Sequence, residues 1–167
     1  KYFQNQRRYE ITNPIYRTTY AKILYELQGV ETGIGYLRDL LIKMPDEPEV
    51  YSQIAIFYYR SGKHDDFERY RKRVEALPRI VPSFYDFLIK EARRDEKVEK
   101  VIEYSKKLIL IDPSRLKISM ELGIYYFDLA RYKDAKRTFI ELEGKLSTFP
   151  KINYFLQRAM LLNIFVD

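Results

Sequence analysis

The sequence predicts an all-α chain built from repeated antiparallel helical hairpins. Three observations carry this: prolines at a fixed stride, apolar residues in paired stretches of helical period, and breakers placed singly. Pro14, Pro48, Pro82 and Pro150 are separated by 34, 34 and 68 residues, the last interval being two strides, with Leu116 in the skipped position. A self-similar period in this range marks a repeat protein. Proline suits the first turn of a helix, where its missing N–H is no loss and its φ is already helical, so each should open a helix at one phase. The 6 Gly and 7 Pro are scattered as punctuation, so no flexible linker divides the chain.

The stride defines the elements in order. Residues 1–13 fall at the phase of a preceding second helix, with Tyr2, Phe3 and Tyr9 as its packing remnant. Four units follow, 14–47, 48–81, 82–115 and 116–149, and residues 150–167 supply a further first helix. In the second unit Tyr51, Ile54, Ala55 and Tyr58 form one apolar stripe, Phe67, Tyr70 and Val74 a second, and Ser61-Gly62-Lys63 breaks between them. In the fourth, Leu122, Gly123 and Tyr126 precede Ala135, Phe139 and Leu142, with the break at Ala130-Arg131. Small residues at a helix crossing allow close approach while larger ones fill the flanking grooves. Ala21 with Gly33, and Gly123 with Ala135, meet that need. Ala55 with Phe67 and Ile89 with Val101 are bulkier.

These residues resemble the tetratricopeptide repeat, whose pattern places Trp, Leu, Gly and Tyr on a first helix and Ala, Phe and Pro on a second. The fourth unit matches best, with Leu122, Gly123, Tyr126, Ala135 and Phe139, while Ser119 and Ser147 replace the aromatic opener and closing proline. The first unit offers Tyr20, Ala21, Leu24, Gly33, Leu37, Leu40 and Pro45, and the third Leu88, Leu108 and Pro113. The resemblance implies a right-handed α-solenoid whose first helices line a concave partner-binding face.

On that face the resemblance places Thr18, Lys22 and Tyr25; Ser52, Ile56 and Tyr59; Asp86, Phe87, Lys90, Arg93 and Arg94; Ile124, Phe127 and Asp128; and Tyr154, Phe155 and Arg158. Aromatic rings give contact area at little entropic cost and cations pair with acids, so the expected ligand is a peptide or protein. About half of these residues are expected to serve as core, because aromatic stripes on helices are usually packed. Some family members clamp a terminal carboxylate with Lys and Asn on their first helices. Here Thr18, Lys22 and Gln53 stand near those points, which does not reproduce the clamp.

Composition limits the rest. Of 167 residues, 46% are hydrophobic and 32% charged, which excludes a disordered polar chain. No run approaches the ~20 apolar residues of a membrane span, and Lys1 to Arg8 lack the apolar core of a signal peptide. The absence of Cys excludes disulfides and thiolate chemistry but fits either redox environment, so compartment stays open. The net charge of +6 favours acidic partners.

Other functions find less material. Arg69, Arg71, Lys72, Arg73, Lys90, Arg93, Arg94, Lys97 and Lys100 would suit single-stranded RNA, but Glu68, Glu75, Glu91, Asp95, Glu96 and Glu99 alternate with them as on a solvated face. The single His, His64, precedes Asp65 and Asp66, yet metal sites need three or four converging ligands, and its phase points to a packing or surface role. No nucleophile elbow, phosphate loop or zinc-protease motif occurs, so neither enzyme activity nor a cofactor is expected. An architectural alternative rests on Ala159 to Val166, apolar on more than one face, as a self-association helix.

Overall fold

In a computed structural model the described residues are 13–79, 81–143, 154, 155, 157 and 158. Pro14, Pro48 and Pro82 each open a helix, while Pro150 lies outside the described residues. The first helices are α1 (Pro14–Gln28), α3 (Pro48–Arg60), α5 (Pro82–Arg94) and α7 (Leu116–Asp128), and the second helices are α2 (Val30–Lys43), α4 (His64–Ala76), α6 (Val98–Ile111) and α8 (Tyr132–Glu143). Both series advance by 34 residues, and no strand occurs among the described residues. Tyr154, Phe155, Gln157 and Arg158 are also helical. The preceding helix expected at 1–13 and the apolar tail at 159–166 lie essentially outside the described residues.

Local chemistry sets the ends. The Asn13 side chain caps α1 by accepting from the Ile15 N–H at 3.0 Å, with Pro14 in the first turn. After α3, the Gly62 N–H bonds the Tyr59 carbonyl at 3.1 Å and the Lys63 N–H the Tyr58 carbonyl at 2.9 Å. That paired pattern, with Gly62 at φ 73°, is a Schellman turn. It recurs one stride on, where Glu96 (φ 54°) and Lys97 bond Arg93 and Ala92, and again where Ala130 (φ 56°) and Arg131 bond Phe127 and Tyr126. The first hairpin differs: α1 runs to Gln28 and a lone Gly29, at φ 94°, links it to α2.

The chain divides into two compact units, Lys1–Val81 and Pro82–Asp167. In the first, α1 packs on α2, α3 on α4, and α3 also on α1 and α2. Ala21, Ile34, Leu37, Val50, Ile54, Ala55 and Phe57 are fully buried there. Gly33 admits the α1–α2 approach, since an added Cβ would lie 3.0 Å from Tyr25 Cβ and 3.1 Å from the Ala21 carbonyl oxygen. In the second unit α5 packs on α6, α7 on α8, and α6 on α7. Its core joins Ile102, Leu122, Tyr126, Ala135, Phe139 and Leu142, with Gly123 directly beneath the Phe139 ring. Ion pairs tie successive hairpins within each unit: Lys63–Glu31 at 2.6 Å in the first, Arg131–Glu99 at 3.2 Å and Arg115–Asp86 at 2.6 Å in the second.

Candidate functional site

Each unit offers two surfaces, one on its first helices and one on its second helices. On the first-helix side of the second unit, α5 and α7 form two adjoining clefts. Asp86, Ile89, Lys90 and Arg93 face Ile118 and Glu121 around about 220 Å³, and Arg93, Glu121, Ile124, Tyr125 and Asp128 line about 400 Å³. An Arg93–Glu121 ion pair at 2.9 Å spans the junction. Arg115 closes one end against Asp86, and hydrogen bonding to that carboxylate, opposed by desolvation, holds its guanidinium pKa above the ordinary range. Cations, carboxylates and isoleucines thus alternate along these walls, an arrangement that can pair an acidic side chain beside an apolar one.

Of the residues expected on the binding face, Lys90, Arg93 and Ile124 come together here, with Asp86 and Asp128. Arg94 is exposed but pairs with Glu91 at 2.6 Å. Phe87 is half-buried and stacks on Phe84, with centroids 6.4 Å apart. Phe127 is half-buried between Tyr132 and Phe155, while Phe155 itself stacks at 5.9 Å on Phe139. Tyr154 and Arg158 are exposed and joined by a 2.6 Å hydrogen bond from the guanidinium to the phenol oxygen. In the first unit Tyr25 stacks on Phe57 at 4.4 Å, Tyr59 lies edge-on to Phe67 at 5.0 Å, and Ile56 is half-buried. These three form walls more than open surface.

Two expectations are corrected. Thr18 and Ser52 were placed on the open face, yet both are buried, their hydroxyls donating to the carbonyls of Ile15 at 3.1 Å and Pro48 at 2.7 Å. Their hydroxyls bond their own helix instead of facing a partner. Gln53 is buried as well, while Lys22 is exposed. His64 stands exposed at the start of α4, edge-on to Tyr59 at 6.1 Å. Among the described residues no group of three or more His, Cys, Asp or Glu converges as metal ligands.

The second-helix side carries what sequence reasoning missed. In the first unit a cleft of about 840 Å³ lies among Leu41 of α2, Tyr51 of α3, and Arg69, Tyr70, Lys72 and Arg73 of α4, with Asp65 and Glu68 at its rim. The Tyr51 and Tyr70 rings are 6.1 Å apart, and the guanidiniums of Arg73 and Arg69 each lie 5.5 Å from one of them. Behind them Arg38 donates to the Tyr58 hydroxyl at 2.5 Å, and hydrogen bonding to Tyr70 raises its pKa against desolvation. In the second unit a cleft of about 290 Å³ is lined by Lys106, Ile109, Ser119, Tyr126, Arg137 and Thr138, among others. The available signal was the stride: Leu41, Tyr51, Arg69, Tyr70 and Arg73 advance by 68 residues onto Ile109, Ser119, Arg137, Thr138 and Glu141. The basic residues considered for RNA include several neutralised on their own helix, with Arg69–Asp66 at 2.6 Å, Arg71–Glu68 at 2.7 Å and Lys100–Glu103 at 3.0 Å.

No family model and no curated protein matches the chain. Solved structures do. YrrB, described as a TPR protein with an unusual peptide-binding site, is similar over 96% of this chain and 82% of its own, at 9% identity and TM-score 0.56. MamA is similar over 92% of this chain and 83% of its own, at 13% identity and TM-score 0.56. Pseudomonas aeruginosa PilF is similar over 89% of this chain and 68% of its own, at 11% identity and TM-score 0.55. The helical hairpins, their 34-residue advance and these likenesses together give the chain the tetratricopeptide-repeat fold.

Proposed function

We propose that this protein is a non-catalytic interaction scaffold that holds a peptide or protein partner on its first helices, centred on the α5–α7 clefts. The observation that carries this reading is the convergence of Lys90, Arg93 and Ile124 on one recessed surface. Recessed apolar walls flanked by charge are the usual makings of a peptide site, because the wall supplies desolvation and the charges fix register. Half-buried Phe87 and Phe127 stiffen the helices behind it, so little order must be imposed on binding. YrrB, whose description includes a peptide-binding site, shares the fold and supports the class of ligand. The favoured ligand places an acidic residue beside an aliphatic one.

The test is selection of peptides from a displayed library against the chain, followed by titration of the selected peptides against Lys90→Glu and Ile124→Ala. Enrichment of acidic–aliphatic peptides that lose about tenfold or more in affinity with both variants is expected. Undiminished binding to variants with native helical circular dichroism would refute the assignment.

A further inference from the structure

The second-helix cleft of the first unit has the makings of a separate site. We infer that the cleft among α2, α3 and α4 binds an acidic peptide segment bearing one large apolar side chain, independently of the first-helix surface.

Two facts set this cleft apart from ordinary surface relief. It recurs at the same repeat phase in both units, with five lining positions in register, so it is a structural product of stacking one second helix beside the next. Yet its chemistry is repeated only in part. Arg69 recurs as Arg137, but Tyr51, Tyr70 and Arg73 of the first unit become Ser119, Thr138 and Glu141 in the second, so the facing pair of rings and the second guanidinium belong to the first copy. Stacking alone leaves an opening; these side chains give it a preference.

That preference follows from charge and ring geometry. Among the lining residues Arg69, Lys72 and Arg73 outnumber Asp65 and Glu68 by one, and Glu68 is already engaged by Arg71 at 2.7 and 3.0 Å, a guanidinium it shares with Glu75. A guanidinium stacked over a tyrosine ring keeps its N–H edge free for a carboxylate and is held in place while doing so. Arg73 is held in this way over Tyr51, and its ion pair with Asp46 is long, at 3.6 Å, between exposed side chains that an incoming carboxylate can compete for. Arg69 is stacked likewise over Tyr70, though Asp66 already engages it at 2.6 Å. Leu41 and Ala76 add apolar lining, and the volume of about 840 Å³ accommodates a bulky side chain with its backbone.

The protein contains no Trp, so a Trp in the ligand reports without background. The probe is a short peptide of Asp and Glu with one central Trp, titrated with the full chain at low ionic strength. Binding with a blue-shifted Trp emission is expected, weakened about tenfold or more by Arg73→Glu and abolished by Arg69→Glu with Arg73→Glu. Both arginines are over half exposed, so these variants keep the fold, which helical circular dichroism verifies. Lys90→Glu should leave the Arg73-dependent part of this titration unchanged, which separates this site from the first-helix surface. Absence of binding, a loss produced by Lys90→Glu and not by Arg73→Glu, or equal displacement by single-stranded oligothymidylate would overturn the proposal.

Discussion

Replacing Gly123 by Ala tests whether the fourth hairpin depends on a missing side chain. A Cβ at this position would stand 2.6, 2.8 and 3.0 Å from Cε1, Cζ and Cδ1 of Phe139. Carbon atoms rest comfortably at about 3.5–4.0 Å, so the ring would have to withdraw by roughly 1 Å. It has nowhere to go: Phe139 is 0% exposed, Phe155 lies parallel at 5.9 Å, and Ala135 and Leu142 close the remaining sides. Overpacking of this kind costs about 1–3 kcal/mol, while Ala in place of a helical Gly returns about 1 kcal/mol. A net loss of up to about 2 kcal/mol is expected, read as a lower urea midpoint at unchanged m-value. Gly35→Ala supplies the control, since nothing lies within 4 Å of its added Cβ; that variant should gain about 1 kcal/mol. Combining Gly123→Ala with Phe139→Leu should recover part of the loss as a favourable coupling energy. If Gly123→Ala gains as much stability as Gly35→Ala, the close crossing of α7 and α8 is not what holds this hairpin.

Left-handed backbone at non-glycine residues predicts gains elsewhere: Glu96→Gly and Ala130→Gly should each stabilise by about 0.5–1 kcal/mol in urea unfolding, the relief of a strained φ outweighing the added freedom of the unfolded chain. The Glu47 carboxyl is pushed up to about 7 by burial and by hydrogen bonding and repulsion from Glu49, against the pull of Arg79. Because the folded chain then holds this proton more tightly than the unfolded one, its contribution is full below about pH 4.5 and is lost as pH rises through about 7. Glu47→Gln should therefore flatten the decline in unfolding free energy between those values, measured by urea titrations across the range; an unchanged slope refutes it.

The fold was legible because its signal is redundant. Pro14, Pro48 and Pro82 fix the phase, and small residues such as Gly33 and Gly123 announce the close crossings. The proposed binding surface was legible only in part. Lys90, Arg93 and Ile124 reached it because they are long or open to solvent on neighbouring first helices. Thr18 and Ser52 did not, since a short hydroxyl satisfied by its own helix can be buried where an amphipathic pattern reads it as exposed. Tyr25 and Tyr59 found ring partners in Phe57 and Phe67, contacts set by tertiary geometry and invisible in a single stripe. The Tyr51–Tyr70 cleft escaped notice because its register appears only when positions are compared two strides apart, and because Arg69 and Arg73 look in sequence like members of a solvated charge run.

The lone Gly29 between α1 and α2 shows what the stride measures. Relative to the later hairpins, α1 ends two residues late, yet α2 begins on schedule at Val30, where His64, Val98 and Tyr132 begin in theirs. Helix length has absorbed what the connection gave up. A hairpin in this architecture behaves like a fixed-length cassette whose internal joint can slide, so connections should be transplantable between cassettes when the helix before them is trimmed or extended to compensate. Changing the joint without that compensation would dephase the stripe of the following helix by two positions, roughly half a helical turn, and turn its buried face away from its neighbour.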